Sequence, residues 1–225
     1  MSLILYDVTW RMRFVSALRG CVYIFMLSLI LLGVTVGREQ NKTYTTGAYD
    51  GYISVYGEVS HDDMRSLKRE LAKVPDWLLE EYVNEKGRLF VSSVPLRDIQ
   101  ERYYGHVDEK NQAIGFFAVR NGIAEIWIHS SLSSIKASTI HEFGHYLDRY
   151  CSYISETDAF LIIFEVEKNL FFEVDKSAYH ISTAPEYFAE SFEWYLNNPR
   201  SLRKHCPQTY SFLDGLLVET QRWLE

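Results

Sequence analysis

The stretch His141-Glu142-Phe143-Gly144-His145 places two histidines four positions apart within a helix predicted over Ser134–Tyr150. Residues four apart lie on one face of an α-helix, so both imidazoles can reach a single ion. Glu142 is rotated by about 100° from His141. Its carboxylate is poorly placed to bind the same ion as the two imidazoles, but it can reach a water molecule bound to the metal. The motif therefore predicts a zinc site with Glu142 as general base.

The same five residues also fit two exposed helix histidines beside a solvated glutamate. A catalytic zinc needs a third protein ligand, and its identity decides the kind of site. The extension of the motif to a third histidine is absent, because Asp148 and Cys151 stand where its glycine and its histidine would be. This disfavours the metzincin pattern.

Two glutamates in a later helix, predicted over Thr183–Asn197, are candidates for the missing ligand. Glu186 and Glu190 are again four apart and share one helix face. One carboxylate can complete the zinc site while the other accepts a hydrogen bond from a ligand imidazole. Each also has an ordinary explanation. Glu186 closes a capping box with Thr183, and Glu190 suits a surface position.

The remaining pattern predicts an α+β fold, with a small mixed sheet packed on a helical carboxy-terminal half. Leu89–Ser92 is a strand candidate. Ala113–Val119 and Ile123–His129 flank Arg120-Asn121-Gly122, which favours a tight hairpin. Further helices are predicted over Ser60–Val74, Pro75–Glu85, Ser155–Phe172 and Gln208–Leu224.

The amino terminus has the features of a membrane-targeting segment. Arg11, Arg13 and Arg19 precede an uncharged apolar run from Cys21 to Gly37. A signal peptide cleaved after Gly37 and an uncleaved membrane anchor both fit, and both place the remainder outside the cell. We therefore predict a secreted or membrane-anchored protein. Its parts are a signal peptide or anchor (1–37), a linker (38–50) and a metallopeptidase catalytic domain (51–225).

The charge balance limits the choice of partners. The chain has 23 Lys and Arg against 30 Asp and Glu, for a net charge of −7, and residues 1–37 hold three of the former and one of the latter. The remainder thus carries 20 against 29, which argues against nucleic acid as a partner. Membrane contact is expected only through an uncleaved amino terminus, and we expect a monomer. Cys151 and Cys206 could form a disulfide.

Four features of the sequence occur together in the last ninety residues: His141-Glu-Phe-Gly-His145-Tyr-Leu-Asp148, Tyr179, Glu186-Tyr-Phe-Ala-Glu190-Ser-Phe192 and Cys206-Pro-Gln-Thr-Tyr-Ser-Phe212. As a set they resemble the catalytic domain of the anthrax-toxin lethal-factor-like zinc metallopeptidases, a family that includes the secreted Pro-Pro endopeptidases. The resemblance covers roughly these last ninety residues well.

The resemblance implies a zincin-like domain that binds one Zn²⁺, and it assigns individual roles. Glu186 becomes the third zinc ligand, and Glu190 the residue that supports a ligand imidazole. Tyr179, seven residues before Glu186, becomes the phenol that stabilises the oxyanion. Asp148, seven positions after His141, is placed to orient an imidazole or to face solvent.

The resemblance also implies an endopeptidase whose peptide or protein substrate lies along an edge strand, which we place at Ile123–His129. It leaves Pro-Pro cleavage and a lethal-factor-like preference open. The competing hypothesis is a non-catalytic extracellular binding protein that retains the fold, although Glu142 argues against it. An exported inhibitor or adhesin with an accidental motif would bind no metal.

Overall fold

A mixed five-stranded sheet forms the centre of the fold. The structure is a computed structural model that describes residues 42–43, 51–105, 113–173 and 181–224, all within one compact unit of the chain. The strand order is β1-β2-β3-β5-β4, with the outer pairs antiparallel and the inner pairs parallel. The strands are β1 (Lys42–Thr43), β2 (Ile53–Tyr56), β3 (Arg88–Ser92), β4 (Gly115–Arg120) and β5 (Ile123–His129).

Alternation along the strands gives the sheet two buried faces. In β5, Ile126 and Ile128 join the main core beneath the helices, whereas Trp127 points to the opposite face. There Trp127 stacks on Phe90 with ring centroids 4.0 Å apart. Both faces of β5 are thus covered, as its almost uninterrupted burial requires.

The predicted hairpin between β4 and β5 is confirmed. Asn121 and Gly122 form its turn with φ values of 53° and 79°, the left-handed pair that a two-residue turn favours, and Arg120 belongs to the strand. The prediction that Ile123–His129 is the edge strand is wrong. This strand pairs with β3 on its other side and so lies inside the sheet, which makes β4 the outer strand at this end of the described sheet.

Helix α4 lies between the sheet and the carboxy-terminal helices, against β4, β5, α1 and α6. It begins after Ser131, whose hydroxyl accepts a hydrogen bond from the Ser134 N–H at 3.1 Å. The helices are α1 (His61–Leu71), α2 (Asp76–Asn84), α3 (Leu96–Tyr104), α4 (Leu132–Tyr150), α5 (Asp158–Glu167), α6 (Ala184–Asn197), α7 (Pro199–His205) and α8 (Pro207–Leu224). Short 3₁₀ turns span Ile154–Glu156 and Leu170–Glu173.

The single helix predicted over Ser155–Phe172 is wrong, because the stretch contains α5 with a short 3₁₀ turn on either side. Thr157 caps the start of α5. At the other end, the buried carboxylate of Glu167 accepts hydrogen bonds from the backbone N–H groups of Gln208 and Thr209, both at 2.9 Å. It thereby caps α8, whose orphan N–H groups need acceptors. The elements that the sequence did not predict are β1, β2, α3 and α7.

Other sequence predictions concern the ends of the chain and its cysteines. Strand β1 lies inside the predicted linker 38–50, whereas residues 1–37 and Tyr179 fall outside the described residues. Within the described ranges, no helix has both the length and the apolar character of a membrane span. Cys151 and Cys206 are free thiols, and burial raises the pKa of Cys206 to about 11.

Candidate metal centre

Two helices bring two imidazoles and one carboxylate together. The Nε2 atom of His141 lies 3.2 Å from one Glu186 oxygen, and the Nε2 atom of His145 lies 3.5 Å from the other. The two imidazole centroids are 4.9 Å apart. Three potential ligand atoms, two from α4 and one from α6, thus converge on one region.

These separations match those of zinc ligands. Zinc binds imidazole nitrogen and carboxylate oxygen at about 2.0–2.2 Å, so two ligands at tetrahedral angles lie about 3.3 Å from each other. The two distances from Glu186 to the histidines lie on either side of this value. Two histidines and a carboxylate also form a known catalytic zinc set, in which the fourth position is left for solvent.

The tautomer of His141 indicates that a cation belongs between the imidazoles and Glu186. Its Nδ1 atom lies 3.1 Å from a carboxylate oxygen of Glu190, so this nitrogen carries the proton that it donates. If His141 is neutral, the lone pair on Nε2 then faces the carboxylate of Glu186, and if it is protonated, Nε2 donates to that carboxylate. Two such electron pairs repel each other unless a proton or a metal ion lies between them.

The pKa values of His141 and Glu186 also indicate that positive charge is favoured between them. Burial acts to lower the pKa of His141, but the hydrogen bonds with Glu186 and Glu190 raise it well above its ordinary value. The hydrogen bonds from His141 and His145 hold the pKa of Glu186 far below its usual range. The arrangement thus favours an ionised Glu186 with positive charge beside it.

Glu142 lies outside the ligand set, on the side of α4 that faces β4. It is almost fully buried, and this burial raises the pKa of its carboxyl group, while His141 and His145 oppose the shift. A Cβ atom added at Gly115 would lie 2.8 Å from the Glu142 carboxylate, so β4 begins directly beside this group. A raised pKa suits a general base, because it brings the carboxyl group closer to the pH at which it acts.

A close helix crossing brings Glu186 and Glu190 within reach of the histidines. Gly144 faces Ala189 on α6, and a Cβ atom added at Gly144 would lie only 2.7 Å from the Ala189 Cα atom. Glycine is therefore required here by the approach of the two backbones rather than by its φ angle. The sequence analysis did not single out Gly144, although it stands inside the metal motif.

The structure separates the two explanations for Glu186. Thr183 does cap α6, since its hydroxyl accepts a 3.4 Å hydrogen bond from the Glu186 backbone N–H. In the described part of the chain, however, the Glu186 carboxylate bonds to His141 and His145 rather than reaching back to Thr183. Half of the predicted capping box therefore forms, and the acidic side chain faces the candidate metal centre.

Asp148 does neither of the two things that the sequence predicted. Its carboxylate accepts hydrogen bonds from the Ser155 backbone N–H and from the Ser155 hydroxyl, both at 2.7 Å, and the residue is buried. It closes the turn after α4, in which Ser152 and Tyr153 have left-handed φ values. The position of Asp148 on the same helix face as His141 was misleading, because the nearby Ser155 backbone N–H binds its carboxylate instead.

One further acidic residue near the centre was missed. Glu193, which follows Glu190 on α6, has a carboxylate oxygen within 4.8 Å of ligand atoms of His141 and Glu190. Its position three residues after Glu190 was a signal that the sequence analysis could have used. Tyr179, which the family resemblance places in the site, lies outside the described residues.

Comparison with known proteins identifies the family. The family model described as "Anthrax toxin lethal factor, N- and C-terminal domain" matches residues 55–216, which is most of the chain. The chain belongs to the anthrax toxin lethal factor family. The resemblance read from its motifs is thereby confirmed.

The fold of this lethal-factor family member is also similar to a solved structure. The Pro-Pro endopeptidase PPEP-2 from Paenibacillus alvei aligns with a TM-score of 0.57 and 24% sequence identity, covering 75% of this chain and 98% of that one. The likeness confirms the zincin-like α+β fold. Among curated proteins, no sequence matches this chain closely enough to be called a relative.

Proposed function

We propose that this protein is an exported zinc-dependent endopeptidase. The observation that carries the proposal is the convergence of His141, His145 and Glu186 at zinc-ligand spacing, with the buried Glu142 beside them. Membership of the lethal factor family supports it. Export rests on the arginine-flanked apolar segment within residues 1–37.

The chemistry follows from the position of each group. His141, His145 and Glu186 would hold the zinc ion, which when bound would supply the Lewis acid that makes water nucleophilic at neutral pH. Glu142 removes the proton from the water that attacks the peptide carbonyl, and then delivers it to the leaving amine. We assign the phenol of Tyr179 to the oxyanion on the strength of the family resemblance. The reaction needs no acyl-enzyme.

Strand β4 is the part of the sheet that we propose binds the substrate backbone. The His129 N–H donates a hydrogen bond to the Ile114 carbonyl at 2.9 Å. The backbone N–H and C=O groups of Ile114 therefore point towards β5. By alternation Phe116 also bonds inward, so the N–H and C=O groups of Gly115 and Phe117 point away from β5, where the Phe117 N–H donates a hydrogen bond to the Glu142 carboxylate. An extended peptide can add itself there as a further strand, directly beside Glu142.

The proposal is tested by comparing peptide cleavage by the purified zinc-loaded protein and by its Glu142→Gln variant. Because glutamine cannot take up the proton, we expect the variant to bind zinc normally but to cleave at least ~100-fold more slowly. Equal rates would remove Glu142 from the mechanism. Zinc binding without cleavage of any library peptide would favour the non-catalytic binding protein instead.

Export is tested separately by the intact mass of the protein recovered outside the cell. We expect a mass that corresponds to loss of residues 1–37, because the apolar run is short for a membrane span. Recovery of the full-length chain in the membrane fraction would identify the segment as an anchor.

A further inference from the structure

The ring of Phe117 borders the candidate metal centre on the side of His145. Its centroid lies 6.5 Å from that of the imidazole, and the two planes are inclined by only 25°. The ring is half-buried, so it packs against the main core but keeps some of its surface open to solvent. An apolar surface therefore lies next to a proposed zinc ligand.

Strand alternation separates Phe117 from its neighbour Phe116. Phe117 faces α4, whereas Phe116 faces the opposite side of the sheet and stacks on Trp127 with centroids 6.1 Å apart. Two adjacent phenylalanines on one strand thus have different surroundings. Phe117 lies beside the candidate centre, whereas Phe116 belongs to the aromatic cluster behind the sheet.

The α4 side of β4 also differs along its length. Near Glu142 it presents Gly115, where even a Cβ atom would lie 2.5 Å from the Ser138 Cβ atom. Two residues further on, near His145, it presents the ring of Phe117. A peptide lying along β4 would therefore meet bare backbone at one side of the metal and an aromatic wall at the other.

We propose that Phe117 is a specificity-determining residue, whose ring binds an apolar substrate side chain at one position adjacent to the scissile bond. The inference rests on the proposed endopeptidase function and deepens it. Contact between an apolar side chain and the exposed part of the ring removes both surfaces from water, which favours apolar over polar residues at that position. Among the described residues of β4, Gly115 presents no side chain on the α4 side, so the selection that β4 makes for apolar residues should be one-sided.

The test is cleavage profiling of a peptide library by the zinc-loaded protein and by two matched variants. Phe117→Ala and Phe116→Ala each remove one phenyl ring from the same strand, but from opposite faces. We expect the unmodified protein to favour apolar residues at one position next to the cleaved bond. In Phe117→Ala this preference should fall at least ~10-fold at that position alone, with full zinc content. Phe116→Ala should keep the preference.

Three outcomes would overturn the role of Phe117. They are an unchanged preference in Phe117→Ala, an equal loss in Phe116→Ala, and a loss spread evenly over all substrate positions. If Phe117→Ala does not fold, Phe117→Gln retains a longer side chain than alanine but makes the surface polar, and the same fall is expected. Absence of cleavage by the unmodified protein would instead contradict the proposed endopeptidase function.

Discussion

Helices α4 and α6 contribute to the same centre in different ways. Helix α4 supplies His141, Glu142 and His145 from five consecutive residues, so helix geometry alone sets their mutual positions. Helix α6 supplies Glu186 and Glu190 from a distant part of the chain, and they reach the imidazoles because the helices cross closely at Gly144. Local spacing therefore sets the positions of the α4 groups, and the packing of α4 against α6 sets the positions of the α6 groups.

The largest effect is expected when the α6 ligand is removed. Glu186→Gln keeps a side chain suited to the start of α6 but lacks the charge that binds zinc, so zinc affinity should fall by more than ~100-fold, beyond the usual effect of residues that only support ligands. Zinc titration of the purified variant measures this. His145→Ala should show a similar loss, and a full zinc equivalent in either variant would overturn that residue's assignment as a ligand.

A smaller effect is expected when the crossing itself is disturbed. In Gly144→Ala the added Cβ atom must push Ala189 away, which moves Glu186 and Glu190 from the histidines. We expect the melting temperature to fall and zinc affinity to drop at least ~10-fold, an effect comparable to losing a supporting residue.

The control for this substitution is Gly215→Ala in α8, where a Cβ atom would meet no other atom within 4 Å. Alanine stabilises an open helix position by up to ~1 kcal/mol relative to glycine, so this variant should melt at a slightly higher temperature. If Gly144→Ala behaved in the same way, the helix crossing would not depend on the glycine.

Glu190 refines the comparison of the two helices. It lies on α6 like Glu186, but it contacts the Nδ1 atom of His141 rather than the Nε2 atom. Glu190→Gln still offers an oxygen to the Nδ1–H group but loses the charge that strengthens the hydrogen bond. Zinc affinity should therefore fall by only about tenfold. Glu165→Gln on the exposed face of α5 provides the comparison, and equal affinities in the two variants would remove Glu190 from the support of His141.

The smallest effect on the centre is expected for Asp148, despite its place on the α4 motif helix. Asp148→Ala leaves the buried Ser155 N–H without its acceptor and should lower the free energy of unfolding by about 2 kcal/mol, while zinc affinity stays unchanged. Chemical denaturation measures this. Asp62→Ala, which removes a surface ion pair, should change stability little. Loss of zinc affinity in Asp148→Ala would restore the role first predicted for it.

Elements with a strong local signal were predicted well. The Asn121-Gly122 turn fixed the hairpin because both residues adopt left-handed conformations readily, and Thr183 caps its helix as expected. The weaker signals failed. Residues 155–172 were predicted as one helix, but Thr157 acts there as the N-cap at which a new helix begins.

The sequence alone indicated His141, His145, Glu186 and Glu190 as groups of the candidate centre, because residues four apart on a helix share a face whatever surrounds them, but it did not indicate Glu193. Tertiary structure decided the rest. It made β4 rather than β5 the edge strand, turned Asp148 towards Ser155, and set the distance between α4 and α6. These outcomes depend on which distant backbone approaches a residue, and local spacing carries no information about that approach.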